Sequence, residues 1–501
     1  MGRTLSKSKL IAFRQCRKRV WLEVHRPELR EDSTQAQAGF DQGHQVGDIA
    51  RRLYDPEGRG ALLDPQQQGF ENVFAKTQEL LNSPQAIFEA GFRADGALAL
   101  ADVMLPIQKA GKLVWKMIEV KSSTSVKDYH LDDVAIQAFI ARTAGVALAG
   151  ASVACIDSNW VYPGGSDYSG LLRETDVTEH ALGREAEVRG WIAGAQRVVA
   201  SRREPSVKMG KQCGAPFECG FSAYCQSLVP KVEHPISQLP GRLSKALQAQ
   251  VDAGDVADLR EVPDDLLNDK QLRVKRAALS GRPFFDSKAA AQALARHKLP
   301  AYFMDFETIQ FAVPIWPGTR PYQQIPFQFS VHRLSRTGKL EHNSFLNLSG
   351  EDPSLGFAKA LLLACGDKGP IFAYNAAFER SRILDLANRF SQLATALKAL
   401  TERIVDLLPI AREHYYHPDQ EGSWSIKAVL PSVCPDLDYG QLEGVQNGGM
   451  AMDAYAEAIS PVTPPERRRE IERQLMAYCA LDTLALVRLW SRFSGSKLAV
   501  A

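Results

Sequence analysis

Residues 113–123 read LVWKMIEVKSS: an apolar run that ends in Glu119-Val120-Lys121 and then small hydroxyl residues. Side chains alternate along a strand, so Glu119 and Lys121 share one face while Val120 points into the core. A carboxylate and an ammonium at this spacing, at the end of a buried strand, suit metal-dependent phosphodiester cleavage. The carboxylate holds a hard cation, and the lysine orients or activates the attacking water. E-x-K alone is common on exposed strand faces, so its neighbours must decide.

Upstream, residues 87–92 (IFEAGF) and 97–105 (ALALADVML) read as strands separated by the turn signal Ala94-Asp95-Gly96. The second strand reaches the Glu119 strand through residues 108–112 (QKAGK). Folded as a meander, the three strands place Asp102 opposite residues 117–119 and Glu89 near Ala101. Three carboxylates then converge beside Lys121. Asp102 lies in an otherwise apolar strand, where a buried, unpaired Asp is costly and needs a metal or a strong partner. Downstream, residues 131–141 read as a helix carrying Gln137 amid Ile136, Phe139 and Ile140.

This arrangement resembles the PD-(D/E)xK nuclease core of the RecB type, including the glutamine on the following helix. The resemblance implies a restriction-endonuclease-like α/β domain binding Mg²⁺ or Mn²⁺ through Glu89, Asp102 and Glu119, with Lys121 and Gln137 as catalytic side chains. It also implies a histidine from an early helix in the metal shell. His44, within residues 40–47 (FDQGHQVG), occupies the equivalent place.

A chain of 501 residues exceeds one ordinary core, so two or three domains are expected. Apolar content of 45% and charged content of 24% are those of a soluble globular protein. The net charge of +2 averages over an uneven chain: residues 1–30 hold nine Lys or Arg against two Glu, a local basic surface suited to phosphates or a solvated helix face. No apolar stretch reaches the length of a membrane span, and no cleavable signal peptide is present. A cytoplasmic protein is expected. The opening MGRTLS fits the literal myristoylation pattern and is read as coincidence.

In chain order, residues 10–24 read as one basic amphipathic helix containing Cys16 and Trp21, and residues 42–54 as a second helical segment. After the meander and the Gln137 helix, residues 147–156 and 159–162 read as strands and 179–200 as a helix. Cys213, Cys219 and Cys225 follow at C-x5-C-x5-C spacing with Gly and Pro between them. Clustered cysteines in a cytosolic chain suggest a metal rather than disulfides. Three thiolates leave such a site one ligand short, and Cys16 is the candidate fourth. One N-terminal cysteine and three after the nuclease core resemble the iron–sulfur staple of AddB-type and CRISPR-adaptation nucleases. That implies a [4Fe–4S] cluster clipping the ends of the domain together, with Zn²⁺ the chemical alternative. The spacing departs from the commoner pattern, in which two of the three cysteines sit closer. Cys155, Cys365, Cys434 and Cys479 read as ordinary thiols.

Residues 231–300 have helical spacing broken at Pro240, Pro263 and Pro283, and read as a helical connector. The next domain opens with Ala301-Tyr302-Phe303-Met304-Asp305-Phe306-Glu307-Thr308, a strand with Asp305 and Glu307 on one face. Residues 371–379 (IFAYNAAFE) run from strand into helix, and residues 475–482 (LMAYCALD) are helical, with Tyr478 and Asp482 one turn apart.

Order and spacing together resemble the DnaQ-like, DEDD-type 3′→5′ exonuclease in its tyrosine-containing form, an RNase H-like fold. The resemblance implies that Asp305, Glu307, Glu379 and Asp482 hold two metal ions and that Tyr478 orients the attacking water. The family's second motif usually ends in Asp, whereas this chain has Glu379. Asp385 is rotated well off that helix face, and Asp406 reads as a turn or strand-end cap.

Nearly the full length resembles a bacterial family defined only as a domain of unknown function, which joins a RecB-type nuclease with cysteines to a DnaQ-like domain. The strongest stretches are residues 5–21, the cysteine loop, 305–330 (including RPYQQIPFQFS) and 375–379. The expectation is therefore a nuclease domain at 1–230, a connector at 231–300 and an exonuclease domain at 301–501. Nucleic acid is the expected partner, DNA ahead of RNA. A helicase or repair partner would supply unwinding, since no Walker A motif occurs. The competing expectation is a nucleic-acid-binding scaffold or helicase-partner subunit with one or both sites inactive.

Overall fold

Alternation and turn chemistry organise the first sheet. A computed structural model describes residues 3–32 and 34–496, so Met1-Gly2 of the myristoylation-like pattern lie outside the described residues. The chain is a mixed α/β protein of two units, residues 1–230 with 311–322, and 231–310 with 323–501. Among the described residues, no helix is long and apolar enough to cross a membrane.

The first unit is built on a seven-stranded sheet: β1 (Leu5–Ser6), β2 (Ala61–Leu62), β3 (Ile87–Ala94), β4 (Ala97–Lys109), β5 (Lys112–Lys121), β6 (Leu148–Ile156) and β7 (Leu172–Asp176). The order is β2-β3-β4-β5-β6-β7, with β1 on β4. Asp95 and Gly96 both have positive φ (50° and 75°), as a two-residue hairpin turn between right-twisted strands requires. The resulting register pairs Ala90 with Ala101 and Val103 with Ile118. β1 pairs in parallel with Ala97 and Leu98, on the side of β4 left open where β5 has ended.

The unit's longer helices include α1 (Lys7–Gln15), α2 (Arg17–His25), α3 (Thr34–Tyr54), α4 (Asp128–Thr143) and α5 (Glu185–Ala200). Leu10, Ile136, Phe139 and Ile192 pack with Phe92, Met104 and Met117 in its main core.

Three sequence readings need correction. The 10–24 helix is two helices, because Cys16 is extended (φ −160°) and caps both. Residues 159–162 form no strand: Asp157 turns the chain by accepting the Asn159 amide on its side chain and the Trp160 amide on its carbonyl. The 179–200 helix is split at Gly183 and Arg184, leaving a short piece, Thr178–Leu182, before α5.

The second unit carries a five-stranded sheet of β8 (Ala301–Ile309), β9 (Ile325–Leu334), β10 (Leu340–Leu346), β11 (Ile371–Ala373) and β12 (Ile404–Asp406). The order is β10-β9-β8-β11-β12. β9 is antiparallel to both neighbours, whereas β8, β11 and β12 are parallel. Around it lie α6 (Asp269–Ser280), α7 (Ala377–Arg389), α8 (Leu407–His414), α9 (Ile426–Val433) and the long α10 (Pro465–Ser494). Residues 231–300 share this core, with Val274, Ala277, Ala290 and Leu294 packed among Phe303, Phe372 and Trp490.

Where β9 meets α10, a polar network is buried: His332 Nδ1 and Ser330 Oγ each bond Thr483 Oγ1, at 2.8 and 2.6 Å. The His332 ring stacks on His342. Burial and that neighbour lower the His332 pKa from 6.5 to about 4. The imidazole is therefore neutral when folded, and unfolding takes up a proton between those values. Stability should be complete above pH 6.5 and fall as pH drops towards about 4. Urea midpoints measured across that window should show less acid loss in His332→Gln than in the wild type.

Candidate metal centres

β5 ends in the first unit's charged centre. Glu119 is 1% exposed, and its Oε1 accepts from Lys121 Nζ at 2.6 Å and from Lys7 Nζ at 3.0 Å. Both lysines also reach Asp133, at 2.6 and 3.2 Å. Gln137, one turn beyond Asp133 on α4, donates to Glu119 Oε2 at 2.5 Å. Its own Oε1 is buried without a partner, an acceptor left over for a water or ligand. Asp102 accepts the Val120 amide at 2.7 Å.

Glu89 lies between the Phe88–Val103 and Ala90–Ala101 pairs with φ 56°. A non-glycine residue in the left-handed region of a strand is a strained position of the kind that clusters at functional sites. Glu89, Asp102, Glu119, Lys121, Lys7 and the exposed His44 line one cavity of about 1020 Å³.

Burial, followed by the Asp102 and Asp133 charges, pushes Glu119 up to about 7. Burial also raises Asp102 and Glu89. Asp133 goes the other way: burial opposes its ionisation, but Lys7 and Lys121 hold it below the ordinary carboxylate range. Asp133 is thus held ionised by the lysines it shares with Glu119, while Glu89, Asp102 and Glu119 remain expensive to ionise without a cation.

The sequence reading missed Lys7 and Asp133. Asp133 was legible, four residues before Gln137 on the same helix face. Lys7 was not, because only the pairing of β1 with β4 carries it there.

At the other end of α1 from Lys7, Gln15 Nε2 donates to the carbonyls of Gln212 and Phe217, at 2.8 and 2.7 Å. That bond draws Cys16 to the cysteine loop, where the Cys219 amide bonds the Cys213 carbonyl at 2.9 Å. Trp21 and Leu22 pack on Cys219 and Phe221. Burial raises the Cys225 thiol, and Cys219, Cys213 and Cys16 each add to that rise. The four predicted thiols therefore share one locality, and none is in a disulfide.

In the second unit, β8 alternation puts Asp305 and Glu307 on one face, and α10 brings Asp482 to them. One ligand atom from each lies within 4.8 Å of the others. This is the sole such trio among the described residues. Burial raises all three, and neighbouring carboxylates add to the rise of Asp305 and Glu307: Asp305 goes well above its usual value, Glu307 to about 8, and Asp482 to about 6 against the lowering pull of Tyr439 and Lys427. Three carboxylates so close, two of them buried and Asp305 half-buried, cannot all ionise cheaply unless a cation joins them.

Glu379, 3% exposed in the first turn of α7, stands outside the trio but near enough to add to the Asp305 shift. Burial pushes it to about 7, and its Oε2 is buried without a partner. Asp406 accepts the amides of Asn375, Ala376 and Leu408, which makes it a cap.

Tyr478 is 4% exposed, lies one turn before Asp482 and favours its ionised form; Tyr439 donates to the Asp482 carboxylate at 2.5 Å. Lys427 lies over both rings, 5.0 and 5.2 Å from their centroids, and favours ionised Glu307 and Asp482. Tyr439 and Lys427 were not foreseen, since Tyr439 sits in a short 3-10 turn (Tyr439–Gln441) with no periodicity to mark it.

The family model described as a domain of unknown function (DUF2779) matches residues 302–425. A search of curated proteins gives no match. The DUF2779 region spans Asp305, Glu307 and Glu379, while Tyr478 and Asp482 lie beyond it.

Proposed function

We propose that the chain is a metal-dependent nuclease with two active sites, the second trimming nucleic acid from the 3′ end. The carboxylate trio of Asp305, Glu307 and Asp482 within 4.8 Å carries this reading. Glu307 and Asp482 are buried, Asp305 is half-buried, and all three are raised in pKa, as suits carboxylates that share a cation. The β10-β9-β8-β11-β12 order, with three parallel strands and β9 antiparallel, supports the RNase H-like, DnaQ-type assignment, and Tyr478 beside Asp482 supports the tyrosine-containing form. Mg²⁺ or Mn²⁺ held there would stabilise charge on the attacking and leaving oxygens. Tyr478, one turn before Asp482, holds the attacking water, and Glu379 supplies a fourth carboxylate.

In the first unit, the antiparallel meander ending in Glu119 and Lys121, followed by the Gln137 helix, supports a PD-(D/E)xK core of the RecB type. Asp102 and Glu119 would hold the cation, with Glu89 and His44 on the same cavity. Lys121 orients water, and Lys7 and Asp133 hold that lysine and Glu119 in place.

The test is incubation of the full-length protein with 5′-labelled single- and double-stranded DNA and RNA, with and without Mn²⁺. A Mn²⁺-dependent ladder shortening from the 3′ end is expected. No cleavage of any substrate would leave a nucleic-acid-binding scaffold.

The four thiols would hold the [4Fe–4S] cluster. Protein purified without oxygen should contain iron and acid-labile sulfide, and Cys213→Ser should lose both and lower the melting temperature. Stoichiometric zinc without sulfide would assign a zinc staple instead.

A further inference from the structure

The second unit holds another cavity, which the carboxylate trio does not use. It encloses about 970 Å³, within the range of pockets that take nucleotide-sized ligands, about 300–1,000 Å³. Arg242 and Lys270 contribute one wall, Tyr374 and Asn375 a second, and Arg412 with Ser423, Trp424 and Ser425 a third. No aspartate or glutamate lines it. Arg242, Lys270 and Arg412 are exposed and form no ion pair with a carboxylate among the described residues. Three like charges around one acid-free cavity repel each other until an anion enters.

Two helix starts reinforce that charge. Asn268 caps α6 and Ser425 caps α9, accepting the Gln271 and Ala428 amides at 3.0 and 3.2 Å. Each side-chain cap satisfies one amide of a first turn whose other amides lack intrahelical acceptors. Helix starts of this kind favour phosphate.

The elements lining the cavity also lead to the trio. Asp406 fixes the Asn375 and Ala376 amides at 2.9 and 3.1 Å, one turn before Glu379. Ser425 and Ile426 immediately precede Lys427, whose ammonium covers Tyr439 and Tyr478. Between the walls, the Tyr374 hydroxyl bonds the Trp424 carbonyl at 2.6 Å, which fixes a half-buried aromatic ring against which a base or sugar can rest.

We propose that this cavity is a strand-holding subsite, binding phosphodiesters of a single-stranded nucleic acid whose 3′ end lies at Asp305, Glu307 and Asp482. The proposal rests on reading the second unit as a 3′ exonuclease. Arg242, Lys270 and Arg412 neutralise successive phosphates, and the absence of base-reading carboxylates or amides beyond Asn268 and Asn375 suits recognition with little sequence preference.

The experiment measures fluorescence anisotropy of short fluorescein-labelled oligo(dT) and oligo(rU) on the full-length protein in EDTA, over a salt series. The triple variant Arg242→Ala, Lys270→Ala, Arg412→Ala changes exposed side chains and should melt like the wild type. It should bind at least one oligonucleotide roughly tenfold more weakly, and the salt slope should shrink by about 2, at about 0.7 per phosphate on a single strand. A 5-iodouracil oligonucleotide should photocrosslink to peptides containing Tyr374 or Trp424. Unchanged affinity and slope, with crosslinks confined elsewhere, would overturn the subsite while leaving the exonuclease reading intact. A nucleoside 5′-monophosphate binding as tightly as the oligonucleotides would overturn the strand assignment in favour of a mononucleotide site. Salt-dependent binding through these cations, without any Mn²⁺-dependent trimming, would keep the subsite and remove the exonuclease.

Discussion

Asp305→Asn in the full-length protein should abolish 3′ trimming, and in EDTA it should also raise the melting temperature. The two effects share one cause. Asp305 is half-buried beside Asp482, Glu307 and Glu379, each of which raises its pKa, so without a cation ionising it costs stability. Asparagine keeps the volume and removes the charge, which relieves the repulsion. The same change removes a ligand from the trio within 4.8 Å. The trimming rate should fall by at least about 10²–10³-fold, the scale of losing one group that stabilises transition-state charge. Mn²⁺ should stabilise the wild type, by about 2.7 kcal/mol at a hundred times its Kd, and should stabilise the variant much less. Glu379 gives the graded counterpart. With an unpartnered buried oxygen near Asp305, Glu379→Ala should lose most of the rate and Glu379→Asp should keep part of it. A silent Glu379→Ala beside a dead Asp305→Asn would place the fourth ligand elsewhere.

The second large effect belongs to the first unit, and it is read in the Asp305→Asn background so that the other site is silent. Lys121→Ala should remove the remaining Mn²⁺-dependent cleavage, by about 10²–10⁴-fold, the range for a positioned proton-transfer group. The protein should stay folded, because Lys7 still pairs with the same two carboxylates at 3.0 and 3.2 Å. That redundancy makes the variant informative: Glu119 and Asp133 each keep one cationic partner, and only the lysine at the end of β5 is lost. Asp102→Asn should weaken divalent-ion binding as well. Initial rates with end-labelled DNA, beside a melting curve for each variant, check both. Wild-type cleavage by the two variants would contradict the assignment of Glu119 and Lys121 to catalysis.

The sequence was most readable where local chemistry dictates geometry. The 94–97 hairpin was legible because Asp95-Gly96 tolerates positive φ at both turn positions, and its register brings Asp102 beside the end of β5. Asp305 and Glu307 were legible from strand alternation, and Tyr478 with Asp482 from a helical turn. The failures came where long-range contacts decide. Apolar spacing alone carried the 10–24 helix through Cys16, but the chain opens there, next to the Gln15 bonds that hold the cysteine loop. Apolar residues near Trp160 suggested a strand, yet the Asp157 turn claims those amides. Lys7, Tyr439 and Lys427 reach the charged centres through a two-residue strand, an irregular loop and a helix start, and no periodic signal points to any of them. Residues 231–300 looked like a connector because prolines interrupt them, whereas Val274 and Leu294 pack into the second unit's core.

The measurement closest to the central claim is anomalous diffraction from crystals of the full-length protein grown with Mn²⁺ and recorded at the manganese absorption edge. The account predicts peaks within bonding distance of Asp305, Glu307 and Asp482 that vanish in Asp305→Asn. Saturating Mn²⁺ with no peak at these three carboxylates would contradict it.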